Sequence, residues 1–251
     1  MPPTVVDHDG RPDLWHRIPA LFDGVWPEYN VHGEVMAGYW ERLHLVFGRF
    51  QLALVDPDTD DVSATARGIP LVWDGTAAGL GPGIDAAVQA GFAAHDAGVA
   101  TNALCALGIE VAPRHRGKGL STVALRALCS AARRAGLAHV VVPLRPTLKE
   151  LYPLVPIERY ASWTASDGTP FDPWIRTHVR CGGVLSAPAP RSSLITGTVA
   201  EWEAWTGIAF PDSGDYVFPH GLALLHVDRR QDQGVYWEPN VWVVHDVAAG
   251  R

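Results

Sequence analysis

The sequence predicts a mixed α/β domain of the α+β type, built on a mostly antiparallel sheet with one pair of parallel strands and flanking helices. Residues 103–111 form a nearly continuous apolar run, which is typical of a strand buried on both faces. Residues 120–135 then carry apolar side chains along one helical face, and residues 139–144 form a β-branched strand. This strand–helix–strand order predicts two neighbouring parallel strands joined by a crossover helix.

The segments before this unit are predicted from apolar runs and turn residues. Residues 1–45 are predicted to be helical and rich in aromatic side chains. Strands, a loop and an alanine-rich helix should follow. The first strand is predicted over 47–55. Residues 62–67 and 69–73 form either one interrupted strand or two short strands. The loop is predicted over 79–83 and the helix over 84–95.

The segments after the unit are shorter and more irregular. A short helix is predicted over 147–152, and another over 172–181, where Asp172 is a capping residue and Pro173 suits the first helical position. Short strands should alternate with turns near the C-terminus. Their predicted ranges are 194–199, 216–218, 222–227, the vicinity of 236, and 241–244.

Composition excludes several classes of protein. The chain has 251 residues, of which 47% are apolar and 19% charged, so it can bury a sizeable core. The net charge of −7 argues against a nucleic-acid partner, and no apolar stretch reaches the ~20 residues of a membrane helix. Without a secretory signal, and with only Cys105, Cys129 and Cys181, we expect reduced thiols in the cytoplasm.

No repeat or long polar linker divides the chain. We therefore predict a single domain, 1–251, with an elaborated N-terminal helical segment (1–45) and a C-terminal β-rich extension (about 184–251). No histidines stand at metal-ligand spacing, so no metal is expected. The motifs of a nucleophile elbow, a P-loop and a dinucleotide fingerprint are each incomplete. For the oligomeric state, the sequence leaves a homodimer open as an alternative to a monomer.

The loop before the crossover helix carries the most specific motif, Arg114-x-x-Gly117-x-Gly119. Two glycines let the backbone approach a ligand without Cβ obstruction. The N–H groups at a helix start suit a phosphate, and Arg116 and Lys118 add positive charge. A basic turn without a ligand is the alternative, but the flanking strands and helix favour phosphate binding.

At this loop the sequence resembles the GNAT superfamily of acyl-CoA N-acyltransferases. Residues 107–120 are similar to the family's fourth strand and its pyrophosphate loop, with the Arg/Gln-x-x-Gly-x-Gly/Ala signature intact, and the resemblance covers about residues 100–152. It implies that the strand at 139–144 splays away from the strand at 103–111, leaving room for a thioester. The implied co-substrate is acetyl-CoA or another acyl-CoA, and the implied partner is a small-molecule amine.

The resemblance also implies which residues contact coenzyme A. The main chain of the strand would pair with the pantetheine arm like an added strand, and the loop with the start of the helix would hold the pyrophosphate. The implied coenzyme-binding residues are Ile109, Val111, Arg114, Arg116, Gly117, Lys118, Gly119, Leu120 and Ser121.

Two residues are candidates for catalysis. Leu151-Tyr152 is similar to the end of a family segment, Asn-x-x-Ala-x-x-Leu-Tyr, whose tyrosine often protonates the leaving thiolate; Arg145 stands where the asparagine would be, and Pro153 follows. The general base that many members carry on the strand is missing, which leaves Glu110 as the strand's one carboxylate. A base from the terminal segments, or a water relay, is the alternative.

Two aromatic segments are candidates for the acceptor pocket. One contains Trp26, Glu28 and Tyr29, and the other contains Glu238 and Asn240. Each combines aromatic walls with polar tips, as small-molecule sites do. A plain aromatic core patch is the alternative for each.

The predicted activity is transfer of an acetyl or other short acyl group from acyl-CoA to an amine by direct attack on the thioester. Because proteins of one fold can have different functions, two alternatives to this activity are open. One is a GNAT-like decarboxylase that transfers an acyl group to a carrier thiol. The other is a non-catalytic acyl-CoA-binding module.

Overall fold

The computed structural model describes residues 3–248, and nine strands in this range form one sheet. The strands are β1 (Thr4–Asp7), β2 (Gln51–Val55), β3 (Val62–Leu71), β4 (Ala103–Val111), β5 (His139–Leu144), β6 (Val184–Gly197), β7 (Gly214–Tyr216), β8 (Leu225–Asp228) and β9 (Gln233–Asp246). The α-helices are α1 (Ile18–Leu21), α2 (Glu34–Val46), α3 (Ile84–Asp96), α4 (Leu120–Arg134), α5 (Ile157–Tyr160), α6 (Pro173–Arg180) and α7 (Val199–Thr206). None of the helices described is long and apolar enough to cross a membrane.

The sheet is mostly antiparallel, which confirms the predicted fold class. Its strand order is β1-β2-β3-β4-β5-β9-β8-β7, and β6 also pairs with β9. Among the described strands, β4 and β5 form the parallel pair, and every other pairing is antiparallel. The helix α4 connects β4 to β5 and packs against β2, β3, β4 and β5. The crossover unit therefore lies at the centre of the sheet.

The crossover unit has the boundaries that the sequence predicts. Both strands agree at each end, and α4 ends one residue earlier than expected, before Gly136 adopts a φ of +77°. The buried side of the helix contains four of the six residues predicted for the apolar face, while Leu120 and Ala135 are only partly buried. It consists of Ala124, Leu125, Ala127, Leu128, Ala131 and Ala132.

The N-terminal part is less helical than predicted. Residues 4–7 form β1, an edge strand in which Val5 pairs with Leu54 of β2. Three adjacent β-branched residues, Thr4 to Val6, favour an edge strand over a helix. The predicted strand at 47–55 starts only at Gln51, because residues 48–50 form a 3₁₀ turn. The segment predicted as one interrupted strand or two is a single strand, β3, that runs through Gly68.

Two of the C-terminal strands are longer than predicted, whereas the strands expected at 216–218 and 222–227 lie at 214–216 and 225–228, as β7 and β8. The separate strands expected near 236 and 241–244 are one fourteen-residue strand, β9, which continues through Pro239. Proline is tolerated there because the pairing of β6 with β9 shifts register around this position. The strand expected at 194–199 belongs to the longer β6. The capped helix is confirmed, since the Asp172 side chain accepts hydrogen bonds from the N–H groups of Trp174 and Ile175.

The described residues form four hydrophobic clusters, and the two largest bear on the site. The larger one lies around β2 to β5, α3 and α4, where Phe92 and Leu104 are almost fully buried. The second lies under α7 and the C-terminal strands and contains Trp202 and Tyr236. Tyr29, from the N-terminal aromatic segment, is part of this second cluster. The N-terminal and C-terminal aromatic segments therefore share one core.

A pair of buried histidines should make the stability of this fold depend on pH. The rings of His178 on α6 and His245 on β9 are joined by a 2.9 Å hydrogen bond between Nδ1 and Nε2. Burial, together with His245, lowers the pKa of His178 to about 3, and burial also lowers the pKa of His245. The folded protein therefore binds fewer protons than the unfolded chain once the pH falls below the ordinary histidine pKa near 6.5.

The expected result is a free energy of unfolding that falls as the pH falls from about 7.5 to 5.5, by roughly 1 kcal/mol for His178, with a further fall in the same direction from His245. Urea unfolding of the wild type and of His178→Gln at several pH values measures it. The variant should show a shallower pH dependence. His16→Gln, at an exposed position, is the matched control and should keep the wild-type slope. Equal slopes in wild type and His178→Gln would contradict this account.

Candidate active site

The parallel strands at the centre of the sheet separate toward the loop that follows β4. They pair only through residues 103–105 of β4 and 139–141 of β5. The register between β3 and β4 shifts at Arg67 and Gly68, opposite the point where this pairing stops. Beyond that point the edge of β4 that faces β5 has no described strand as a partner. An extended ligand can add to such an edge through main-chain hydrogen bonds, and Ile109 and Val111 lie half-buried along it.

The loop after β4 presents free main-chain N–H groups. Gly117 and Gly119 have φ values of +79° and +73°, and a Cβ on either would meet no atom within 4 Å. The helix α4 starts at Leu120 without a side-chain cap. Within residues 3–248, no backbone oxygen accepts a hydrogen bond from the N–H groups of residues 117–121, which include Ser121. Unpaired N–H groups at a helix start, with the helix dipole behind them, form an anion site.

The basic side chains of this loop differ in their contacts. Arg114 forms an ion pair with Asp61, in the turn between β2 and β3, and His115 Nε2 lies 2.7 Å from the same carboxylate. Arg116 and Lys118 are exposed, and the Nζ of Lys118 lies 3.3 Å from His115 Nδ1. Arg116 and Lys118 are therefore the exposed cations of this loop without an ion pair to a described carboxylate.

Glu110 is enclosed by residues from distant parts of the chain. Its side chain is 8% exposed and accepts hydrogen bonds from Trp26 Nε1 at 2.6 Å and from the Thr65 hydroxyl at 2.8 Å. Arg67 Nη2 lies 3.7 Å from its second oxygen, and the Arg67 guanidinium stacks over Trp40 at 4.4 Å from the ring centroid. Sequence reasoning named Glu110 and Trp26 but missed Thr65, Arg67 and Trp40, since no motif marks them.

The two aromatic segments meet through a buried ion pair. Arg145, which follows β5, pairs with Glu238 on β9, and its Nη2 donates to the Tyr29 hydroxyl at 3.0 Å. Glu238 also accepts from the Tyr236 hydroxyl at 2.5 Å and from Asn30 Nδ2 at 3.4 Å. Burial and the neighbouring Glu238 carboxylate raise the pKa of Tyr29, so its hydroxyl stays protonated.

The segment at residues 26–30 therefore contacts strands on both sides of the gap. At one end it contacts Glu110 of β4, and at the other it contacts Glu238 of β9, the strand that pairs with β5. Two further residues predicted for the acceptor pocket differ from each other in exposure. Glu28 is on the surface, 3.1 Å from His32, whereas Asn240 is 3% exposed on β9 and has no side-chain hydrogen bond to the described residues.

Tyr152 lies among aromatic side chains after β5. Its ring centroid is 5.0 Å from that of Trp163 and 6.0 Å from that of Tyr160. Its backbone oxygen accepts a 2.8 Å hydrogen bond from Lys149, a buried lysine whose pKa burial lowers to about 8. The Tyr152 hydroxyl has no hydrogen bond to another described residue. The predicted short helix at 147–152 is a 3₁₀ turn at residues 149–151.

Comparison with known proteins gives a consistent result. Residues 26–152 match the acetyltransferase (GNAT) family. The chain is 32% identical to "Arginine N-acetyltransferase avaD" of Aspergillus versicolor, covering 94% of this chain and 91% of that protein. Two solved structures share the fold, one being the loading GNATL domain of CurA from Lyngbya majuscula, with a TM-score of 0.59, 12% identity and 97% of each chain covered.

The other is the GphF GNAT-like decarboxylase in complex with isobutyryl-CoA, with a TM-score of 0.55, 18% identity and coverage of 97% of this chain and 99% of that one. Both identities are low, so these structures establish the fold alone. The family match covers half of the chain, and the arginine N-acetyltransferase is similar along nearly all of it. The chain belongs to the GNAT family of acetyltransferases and is an acyl-CoA-dependent N-acetyltransferase.

Proposed function

We propose that this enzyme transfers an acetyl group from acetyl-CoA to arginine or to a closely related small amine. The observation that carries the proposal is the 32% identity, over 94% of the chain, to a protein named as an arginine N-acetyltransferase. The geometry supports it, since the open edge of β4 and the free N–H groups of residues 117–121 suit an acyl-CoA. The segment Trp26–Asn30 suits the acceptor side.

In this proposal the amine attacks the thioester carbonyl directly. The main chain of β4 beside Ile109 and Val111 holds the pantetheine arm and polarises the carbonyl through an N–H group. Glu110 takes the proton that the amine loses, directly or through one water. The thiolate leaves with a proton from Tyr152. Holding both substrates in one gap supplies much of the rate by proximity.

Tyr152→Phe is expected to lower turnover by at least about tenfold, because it removes the hydroxyl that protonates the thiolate and keeps the ring packing against Trp163. A steady-state assay that detects free thiol measures it. The melting temperature and the acetyl-CoA affinity should stay close to wild type. Tyr160→Phe is the control, since the Tyr160 hydroxyl bonds to Asp172 within the fold. Unchanged turnover in Tyr152→Phe would assign Tyr152 to packing alone.

The purified chain, incubated with acetyl-CoA and a panel of amines that includes arginine, tests the proposed activity. Release of free coenzyme A with an acetylated arginine-type product is the expected result. Tight coenzyme A binding without turnover on any amine would instead indicate a binding module. Release of carbon dioxide from malonyl-CoA without an amine would indicate a decarboxylase.

We also propose a single domain spanning 1–251 and a cytoplasmic location. All strands between residues 3 and 248 join one sheet, which supports the single domain. Cys105, Cys129 and Cys181 are free thiols, which supports a reducing compartment.

A further inference from the structure

The side chain of Arg67 is buried without adequate hydrogen-bond partners. Arg67 lies within β3, opposite Gly108 of β4, and its side chain is 11% exposed. Its nearest carboxylate oxygen, on Glu110, is 3.7 Å from Nη2, which is longer than a good hydrogen bond. Its Nε–H group is buried and has no acceptor among the described residues.

A guanidinium carries five N–H donors, and a buried charge is costly unless these donors are bonded. Trp40 covers one face of the group but accepts no hydrogen bond of this kind. The oxygens of Glu110 already accept from Trp26 and Thr65. Arg67 therefore retains unbonded N–H donors on its planar guanidinium. The fork that these donors form matches the two oxygens of a carboxylate.

The position of Arg67 connects this fork to the acceptor side of the site. Glu110 is its ion-pair partner, and the Cζ2 atom of Trp26 lies 3.9 Å from where a Cβ of Gly108 would stand. The anion site proposed for the coenzyme A pyrophosphate is elsewhere, at the start of α4. A carboxylate bound by Arg67 would bring its molecule next to Glu110, the proposed base.

We propose that Arg67 binds the carboxylate of the acceptor, so that the enzyme selects amino acids over amines that lack this group. The inference rests on the proposed function, because it assigns a subsite to the same acceptor. It makes Arg67 a specificity-determining residue. Trp40 and Trp26 form the aromatic walls of the subsite.

Wild-type enzyme tests the subsite without any substitution. With saturating acetyl-CoA, arginine is compared with arginine methyl ester, which keeps the amine and the side chain but removes the carboxylate charge. The same comparison is made for a panel of other amino acids and their esters. We expect kcat/KM to be at least about tenfold higher for the acid than for its ester, mainly through KM.

Arg67→Gln should reduce this preference to about onefold, because KM should rise more for the acid than for the ester. Arg67→Lys keeps the charge but loses the fork, so it should give an intermediate preference and covers the case in which the glutamine variant folds poorly. Arg42→Gln, at an exposed ion pair with Asp96, is the matched control and should keep the full preference.

Equal kcat/KM for acids and esters in the wild type would overturn the subsite and leave the proposed function standing. An equal fall in kcat for both members of a pair in Arg67→Gln would make Arg67 only the counter-ion of Glu110 and would also overturn it. Acetylation of no amine at all would refute the proposed function, and the subsite with it. If the wild type released carbon dioxide from malonyl-CoA and Arg67→Gln did not, Arg67 would bind the acyl donor instead of the acceptor. That result would reject the proposal.

Discussion

Replacing Gly119 with valine is expected to abolish measurable binding of coenzyme A. Gly119 has a φ of +73° and a ψ of +10°, and its Cβ position is open within 4 Å. A β-branched residue is strained in this left-handed region, by roughly 1–2 kcal/mol. Its side chain would also enter the space beside the N–H groups of residues 117–121, where we propose that the pyrophosphate binds. Isothermal titration with coenzyme A measures the loss.

Gly136→Val is the matched control for this variant. Gly136 follows the other end of α4 with a φ of +77°, and its Cβ position is also open. The control should therefore lose a similar amount of thermal stability but bind coenzyme A normally. Gly119→Ala, a milder substitution, should weaken binding by an intermediate amount. Wild-type affinity in Gly119→Val would show that the pyrophosphate binds elsewhere.

The second large effect is expected from Glu110→Gln, which should lower kcat by about 10²–10⁴-fold near neutral pH. The substitution preserves the size of the side chain and removes its capacity to take a proton. The deficit should shrink as the pH rises, because the amine then arrives deprotonated and needs the base less. Steady-state kinetics over a range of pH measures both parts of this expectation.

Thr65→Val is the control for Glu110→Gln. It removes the 2.8 Å hydrogen bond from the Thr65 hydroxyl and leaves the carboxylate in place. A base role for Glu110 predicts a small change of kcat in this control and an unchanged pH profile. If Glu110→Gln lowered the melting temperature but kept the wild-type kcat at every pH, Glu110 would be a structural residue.

The sequence predicted the crossover unit correctly because each of its signals is local. Apolar side chains define β4, the face of α4 and β5 within a few residues of chain, and glycines at 117 and 119 mark a backbone conformation that other residues avoid. The cap at Asp172 is local too, since its partners are two and three residues away. Local signals failed at Pro239, because pairing with β6 on both sides of the proline keeps one long strand intact.

The surroundings of Glu110 could not be predicted in this way. Its hydrogen-bond donors, Trp26 and Thr65, are 84 and 45 residues away in the chain. Strand alternation assigns the carboxylate to one face of the sheet but does not identify its neighbours. Arg67 reads in the sequence as an ordinary basic residue of a strand. Only the packing of α2 and the register of β3 on β4 bury it beside a carboxylate that it does not fully bond.

The sequence by itself therefore determined the family and the parallel strand pair. It also determined the loop that we propose for the pyrophosphate, because main-chain geometry at glycines and at a helix start depends on neighbouring residues. The tertiary structure decided what each side chain at the gap can do. It joined Tyr29 to Glu238 through Arg145, left Glu28 on the surface and surrounded Tyr152 with aromatic rings. Burial, hydrogen bonding and charge at a site arise from segments far apart in the chain, and a linear pattern does not contain those distances.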